Sequence, residues 1–372
     1  MAEPAPLRGV RVLEWARYLP GPYAGLLLHD LGADVVKVEE AGVGDPTRLV
    51  PPFDGDESVL FRALNRGKRS VALDLKKRAH RAAFVALAKR SDVLLDGHRP
   101  GVAKRLGLDW PRLRRAKPRL VYCAITGYGH RSPYAKRAGH DVNYQSFAGA
   151  VGLTGRERPE IPGVQVGDIL GAWSAVAHVL AALRTRKGAF LDVSMTDAVV
   201  SGLGLHYARA AGGMRLERPY DLTGDAPYYA LYECADGKWL SLAALEPRFW
   251  SNLCHAVPEL HVLEDMQWAT GKERERVRRD LIVVFRRQSR ATWLRQLTKA
   301  DVPVAPVLEP REVPRDPHVR ARGLFDGALF ATPFAFGGHT AKPRGRAPRL
   351  GEHTEKVLRE AGLTAKAAAA LG

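Results

Sequence analysis

The sequence predicts an α/β fold with a mostly parallel sheet, joined to a smaller α+β domain. Segments with strand and helix patterns alternate through the first half of the chain, which is typical of parallel strands connected by helices. The 372 residues are enough for two domains. A composition of 46% hydrophobic and 26% charged residues is that of a globular protein.

The first strand–helix–strand unit consists of a strand at residues 10–14, a helix at 23–31 and a strand at 33–39. Such a unit implies a parallel pair with a right-handed crossover. Further strands are predicted at 71–76, 91–96, 120–125 and 189–194, and helices at 78–89, 102–106, 173–183 and 195–211. No G-x-G-x-x-G motif follows the first strand, so no dinucleotide-binding fingerprint is present. Ligands bind at the carboxyl ends of parallel strands, and several of these ends carry glycine or basic residues, namely Arg17, Arg99, Gly127 and Gly129.

The composition shifts near residue 220. Two strand patterns at 228–234 and 239–243 flank the turn Asp236-Gly237, which predicts a β-hairpin. Helices at 246–256, 274–287 and 292–299 and a short strand at 304–307 follow. We therefore predict a large α/β domain at 1–215, to which 308–372 returns, and a small α+β domain at 226–307. The return contains a Pro/Gly-rich stretch at 331–350, a helix at 352–360 and an Ala-rich end that is expected to fray.

Charge and composition limit the function classes. The formal net charge of +17 attracts polyanions, but the most basic segment, residues 272–290, has the spacing of an amphipathic helix. It carries no zinc-finger or recognition-helix pattern, so nucleic-acid binding is a distant alternative. We expect no membrane span, because no apolar run approaches about 20 residues, and no signal peptide. The three widely spaced cysteines predict small buried residues in a cytoplasmic protein rather than disulfides or a metal site.

The stretch from residue 138 to 168 contains a histidine and a carboxylate that each follow a glycine. His140 follows Gly139, and Asp168 follows Gly167. A helix predicted at about 170–186 starts just past Asp168, which would place the carboxylate at the positive end of a helix dipole. These residues alone leave two interpretations open: a helix-capping Asp with a surface His, or an acid–base pair.

Several long stretches resemble the class III coenzyme A-transferase family. They include LRGVRVLEWARYLPGPYAGLLLHDLGADVVKVE, SDVLLDGHRPGVAKRLGL, PRLVYCAITGYG and APYYALYECADGKW, and the resemblance extends from Leu7 to about Phe325. The segments GHDVNY, VGD and LEPRFW resemble the α-methylacyl-CoA racemase branch. The resemblance implies a Rossmann-like large domain and an interlocked homodimer. It also implies an active site between the large domain of one subunit and the small domain of the other.

The activity implied is racemisation of a 2-methylacyl-CoA thioester, in which an α-proton is removed and returned on the opposite face. His140 and Asp168 are then the two acid/base groups, and Glu246 orients His140. Asp168 needs a pKa raised by burial to act as an acid. Backbone N–H groups beside Gly139 and Gly167, and the helix N-terminus after Asp168, are the expected enolate donors. The alternative is a CoA-transferase that forms an acyl intermediate on Asp168, and a basic polyanion-binding protein is a third hypothesis.

The resemblance also predicts where coenzyme A binds. It implies no permanently bound cofactor and no metal, since coenzyme A is part of the substrate. Lys76 and Arg99 are the expected phosphate ligands. One position departs from the family, which commonly has an Arg for the adenosine where this chain has Glu40; Lys37 or Arg66 are the expected substitutes. The predicted coenzyme A-binding residues are Leu73, Asp74, Leu75, Lys76, Arg99, Arg105, Gly139, Asp141, Val142, Asn143 and Tyr144.

Overall fold

The computed structural model describes residues 5–216, 218–336, 339–340, 342–364 and 366–367. Contacts divide the chain into two compact units. The first unit takes Met1–Gly149, Gly163–Gly204 and Arg315–Gly372, and the second takes Ala150–Pro162 and Leu205–Pro314. The predicted small domain at 226–307 falls within the second unit, which also includes 150–162 and 205–225. The predicted domain boundaries themselves stay a prediction.

Eight strands occur in the described part of the chain before residue 195. Six of them form one parallel sheet in the order β5-β2-β1-β6-β7-β8, and β3 and β4 form a separate short hairpin. The α/β fold class is thereby confirmed. The strands are β1 (Arg11–Trp15), β2 (Asp34–Glu40), β3 (Phe53–Asp54), β4 (Glu57–Ser58), β5 (Arg69–Leu73), β6 (Val93–Asp96), β7 (Val121–Thr126) and β8 (Ala189–Ser194).

The helices between these strands cover both faces of the sheet. Side chains alternate along a strand, so Val12 of β1 packs in one core and its neighbour Leu13 in the other. The helices are α1 (Pro20–Asp30), α2 (Val59–Asn65), α3 (Arg78–Lys89), α4 (Val102–Leu106), α5 (Trp110–Ala116), α6 (Asp141–Phe147), α7 (Val166–Thr185) and α8 (Met195–Gly202). The predicted helix at 195–211 is interrupted at Leu203, after which α9 (Gly204–Ala211) begins.

Among the described residues, α7 is the one helix long and apolar enough to cross a membrane by length and composition. The expectation that no apolar segment approaches about 20 residues is therefore wrong. The apolar composition of α7 has a reason within the first unit. Ala172, Ala175 and Val179 are fully buried in the core that also contains residues of β1 and α1.

The second unit has an antiparallel sheet in the order β11-β10-β9. Its elements are β9 (Tyr229–Glu233), β10 (Trp239–Ala243), α10 (Pro247–Ala256), α11 (Gly271–Phe285), α12 (Arg290–Lys299) and β11 (Val304–Pro306). The basic segment forms α11 as an amphipathic helix, with Val277, Leu281 and Phe285 buried. The two units together also contain short 3-10 helices. They lie at Pro46–Leu49, Val151–Leu153, Asp221–Thr223, Pro258–Met266 and Val313–Arg315.

The C-terminal return belongs to the first unit. It contains α13 (Pro317–Ala321), β12 (Phe325–Asp326), β13 (Leu329–Phe330), β14 (Ala335–Phe336), β15 (His339–Thr340) and α14 (Thr354–Glu360). Most of the Ala-rich end lies outside the described residues. The three cysteines are buried and free, as expected.

Candidate active site

A cavity of about 240 Å³ lies at the carboxyl ends of β1, β2, β5 and β6, which is where a parallel sheet binds ligands. We call it the strand-end cavity. Four of the predicted coenzyme A-binding residues line it. Its lining is formed by Trp15, Ala16, Arg17, Val38, Glu39, Glu40, Gly44, Asp45, Leu73, Asp74, Leu75, Lys76, His98, Val102 and Leu106. That these residues bind coenzyme A stays a prediction.

The cations of this cavity are Arg17 and Lys76. Lys76 is 84% exposed, and its Nζ lies 3.8 Å from Oε1 of Glu40. Such an exposed amine can turn toward a phosphate, because a surface ion pair is weak. Arg17 is exposed on the loop after β1. The sequence identifies it only as a basic residue at a strand end and does not assign it to the site.

The expected substitutes for the missing family Arg are not available to a ligand. Lys37 is fully buried, with its Nζ 2.9 Å from Glu14 and 2.8 Å from Asp45. Burial lowers the pKa of Lys37, but these two carboxylates outweigh burial and hold it above its usual value. Arg66 is also fully buried, and donates two hydrogen bonds of 2.7 and 2.6 Å to Asp30. The expectation that Lys37 or Arg66 contacts coenzyme A is therefore wrong.

His140 lies immediately before α6 and is exposed. Its backbone N–H donates to Oδ1 of Asn143 at 2.9 Å, which fixes the first turn of the helix. Tyr144 donates from its hydroxyl to the carbonyl of Gly139 at 2.6 Å. A Cβ on Gly139 would lie 2.8 Å from the Tyr144 ring, so only glycine permits this approach.

Asp168 lies in the first turn of α7, whose N-cap is Gln165, so the interpretation of Asp168 as a capping residue is wrong. Its backbone N–H donates to Oδ1 of Asp141 at 3.1 Å. The other oxygen of Asp141 accepts a hydrogen bond of 2.5 Å from Gln145. Asp141 is next to His140 in the chain, so its carboxylate links the His140 segment to the start of α7.

Two of the expected enolate donors are already used. The N–H of His140 is bonded to Asn143, and the N–H of Asp168 is bonded to Asp141. These two amides hold the segments in place rather than face a substrate. The expectation that they stabilise an enolate oxygen is therefore wrong.

The Asp168 carboxyl has an unusual environment. Burial raises its pKa from 3.8 to about 7, and the nearby charge of Asp141 adds to the shift. Among the described residues, no side chain or backbone N–H is found donating a hydrogen bond to this carboxylate. A position in the first turn of a helix favours the ionised form, but burial outweighs it. A carboxyl that titrates near neutrality can both donate and accept a proton at physiological pH.

Arg99 lies close enough to Tyr144 for its charge to affect the pKa of that residue. Burial and then the charge of Asp168 raise the pKa of Tyr144 to about 12, and the Arg99 guanidinium opposes that rise. Arg99 and Arg105 are exposed, on the loop after β6 and on α4, and neither lines the strand-end cavity. The structure therefore brings Arg99, Tyr144, Asp141 and Asp168 into one neighbourhood.

Glu246 belongs to the second unit, where it is the exposed N-cap residue of α10. His140 and Asp168 belong to the first unit. The role of Glu246 in orienting His140 therefore stays a prediction.

A second cavity, of about 560 Å³, adjoins the first turn of α7 and was not predicted from the sequence. We call it the apolar cavity. Its walls come from five separate stretches of the first unit, which no local pattern connects. They are Tyr18, Leu19, Tyr23, Thr47, Leu60, Ala63, Leu64, Gln165, Ile169 and Phe330. Within the described part of the chain, no group of three or more His, Cys, Asp or Glu residues is placed to hold a metal ion.

The comparisons with known proteins agree with this fold. Residues 7–354 match the model of CoA-transferase family III. The chain is 35% identical to the succinate–glutarate CoA-transferase of Agrobacterium fabrum, over 95% of each chain. It is 31% identical to the human α-methylacyl-CoA racemase, over 96% of this chain and 94% of the relative. The crystal structure of a CAIB/BAIF family protein from Brucella suis superposes with a TM-score of 0.85 at 32% identity, covering 96% of this chain and all of that one.

The chain thus belongs to CoA-transferase family III. The prediction of an enzyme that is either an acyl-CoA racemase or a class III CoA-transferase is confirmed. Its relatives include both activities, so membership of the family does not separate the two.

Proposed function

We propose that the protein is a 2-methylacyl-CoA racemase in which His140 and Asp168 exchange the α-proton of the thioester. The observation that carries the proposal is the Asp168 carboxyl, whose pKa burial raises to about 7. A two-base racemase needs two groups that each gain and lose a proton near working pH. Histidine is the residue type that ordinarily titrates nearest to neutral pH, and the surroundings of Asp168 move its pKa into the same range.

The reaction is a proton transfer in two steps. Ionised Asp168 or neutral His140 takes the α-proton, which leaves an enolate on the thioester. The protonated partner group then returns a proton to the opposite face of the same carbon. Asp141 supports this arrangement because it is bonded to the backbone of Asp168 and is adjacent to His140.

The nucleotide part of coenzyme A is proposed to lie in the strand-end cavity, with its phosphates toward Lys76 and Arg17. Both side chains line this cavity. The family resemblance further leads us to propose a homodimer in which Glu246 supports His140. A cytoplasmic location, with no membrane or nucleic-acid partner, belongs to the same proposal.

The test is α-proton exchange in deuterated buffer, measured by mass spectrometry on separate epimers of a 2-methylacyl-CoA. Wild-type protein should incorporate one deuterium at the α-carbon of either epimer. His140→Ala should lose exchange from at least one epimer, and Asp168→Asn should do the same. The matched controls are His261→Ala and Asp265→Asn, two exposed positions in the second unit, which should retain exchange. Absence of exchange in wild-type protein that binds the thioester would overturn the proposal.

A CoA-transferase is the second candidate, favoured by the same unpartnered carboxylate and by the transferases among the relatives. Here an oxygen of the Asp168 carboxylate would attack the carbonyl carbon of the thioester. The C–S bond would break, coenzyme A would depart as its thiolate, and the acyl group would remain on Asp168 as a mixed anhydride. This reaction predicts ping-pong kinetics, an acyl adduct on Asp168 and dependence on an acceptor carboxylate. Transfer retained in His140→Ala, without α-exchange in wild type, would decide for the transferase.

A further inference from the structure

The apolar cavity has an unusual lining for a site next to a reacting carboxyl. Among the residues that the structure describes, no Lys, Arg, Asp or Glu lines it. Its polar groups are the side chains of two tyrosines, Thr47 and Gln165. Its volume of about 560 Å³ falls within the roughly 300–1,000 Å³ usual for small-molecule sites.

The cavity adjoins Asp168 through α7. Gln165 and Ile169 line it, and they are three residues before and one residue after Asp168. Residues three and four apart share one face of a helix. Gln165 and Ile169, four residues apart, therefore lie on one side of the first turn, and the cavity borders the turn that carries Asp168.

The apolar cavity and the strand-end cavity are lined by consecutive residues of the same loop. Residues 15–17 line the strand-end cavity, and Tyr18 and Leu19 line the apolar one. Five extended residues span at most about 17 Å, so the two cavities are close enough for the pantetheine arm of coenzyme A to connect them. The loop after β2 also contributes to both cavities, since Asp45 lines the strand-end cavity and Thr47 the apolar one.

We propose that the apolar cavity holds the acyl chain of the substrate, and that the enzyme selects aliphatic acyl-CoA thioesters with an uncharged end over dicarboxylic ones. The inference rests on the proposed role of Asp168 as the reacting group. An ionised distal carboxylate would leave water for a cavity whose lining offers no cation, which is costly. An apolar chain gains affinity there, by about fourfold for each methylene buried.

The test measures binding separately from chemistry. Isothermal titration of Asp168→Asn protein with a series of 2-methylacyl-CoA thioesters of increasing chain length gives the binding constant without turnover. Affinity should rise by about threefold to fourfold per methylene over the first few added carbons. Succinyl-CoA and glutaryl-CoA should bind at least tenfold more weakly than apolar thioesters of equal length.

A pair of matched variants localises the effect. Leu60→Glu places a carboxylate in the lining of the apolar cavity, whereas Leu49→Glu makes the same change at a nearby exposed residue outside it. Leu60→Glu should abolish the chain-length dependence, and Leu49→Glu should retain it. Thermal melting of both variants verifies folding, which the exposure of Leu60 (43%) and Leu49 (73%) favours.

The two proposals fail in different ways. Isobutyryl-CoA has an α-proton but almost no acyl chain, so its deuterium exchange reports proton transfer alone. Exchange with isobutyryl-CoA but no chain-length dependence of binding would overturn the acyl-cavity proposal and leave the racemase intact. If binding affinity depends on chain length, Leu60→Glu removes that dependence, and no thioester exchanges its α-proton for deuterium, the acyl-cavity proposal is supported and the racemase proposal is overturned. Equal affinities for succinyl-CoA and for an apolar thioester of the same length would overturn the proposed preference for aliphatic over dicarboxylic thioesters.

Discussion

Replacing Asp168 by asparagine should stabilise the protein at pH 8, and much less so at pH 5. Burial and the charge of Asp141 raise the pKa of Asp168 to about 7, so the folded state prefers the protonated carboxyl. Ionisation therefore costs folding free energy. The contribution of Asp168 to the free energy of unfolding is greatest below the unfolded-state pKa of 3.8. It falls as the pH rises toward the pKa of the folded state. Asparagine removes this cost because it does not ionise.

The size of the effect follows from the pKa values. A rise from 3.8 to about 7 corresponds to about 4 kcal/mol at pH 8, since each unit is worth about 1.4 kcal/mol. At pH 5 the folded carboxyl is protonated and only the unfolded one is mostly ionised. The same linkage relation then gives about 2 kcal/mol. The expected difference between the two pH values is thus about 2 kcal/mol, and packing effects of the asparagine cancel from it.

The assay is urea unfolding of wild type, Asp168→Asn and Asp265→Asn at both pH values. Asp265 is exposed in the second unit, so its variant should change stability equally at pH 5 and pH 8. A stability gain for Asp168→Asn that is the same at both pH values would refute the raised pKa. A loss at pH 8 alone would mean that the ionised carboxylate is stabilised in the folded protein, which also contradicts the reasoning.

Three further predictions concern other residues. Asp141→Asn should lower the pKa of Asp168, because it removes a nearby negative charge; the pH profile of α-exchange should shift to lower pH while exchange itself persists. Lys37→Met should destabilise the protein by about 3–5 kcal/mol, because it removes a buried cation from Glu14 and Asp45; urea unfolding measures this, and the exposed Lys356→Met should stay within about 0.5 kcal/mol of wild type. Lys76→Ala should raise KM for acyl-CoA several-fold with little change in kcat; an unchanged KM would remove Lys76 from the phosphate site.

The sheet could be predicted from the sequence because each strand is a short apolar run between turn residues. The same pattern could have corrected the assignment of Lys37. Val36 and Val38 are buried on either side of it, and both faces of a parallel sheet are covered by helices. A lysine within such a strand is therefore buried whichever face it occupies. Its partner Glu14 lies between the buried residues Leu13 and Trp15 for the same reason.

The surroundings of Asp168 could not be predicted in this way. The sequence pattern places the start of α7 at about residue 170, because Gly167 interrupts a helical pattern, whereas the helix begins at Val166. The apolar cavity depends on residues as far apart as Tyr18 and Phe330. Such non-local contacts leave no periodic signal. The pKa of Asp168 likewise depends on burial and on the charge of Asp141 rather than on its sequence neighbours.

The environment of Asp168 suits either chemistry found among the relatives. A carboxyl with a raised pKa is a better base for an α-proton, and its carboxylate is also a better nucleophile toward a thioester. What separates the two reactions is the remainder of the site. Proton transfer needs a second group across the α-carbon, which His140 can supply, whereas acyl transfer requires both carboxylic acids to occupy the acyl position in turn. A cavity without a cation disfavours this exchange for dicarboxylic acids, so the acyl class and the reaction of this enzyme constrain each other.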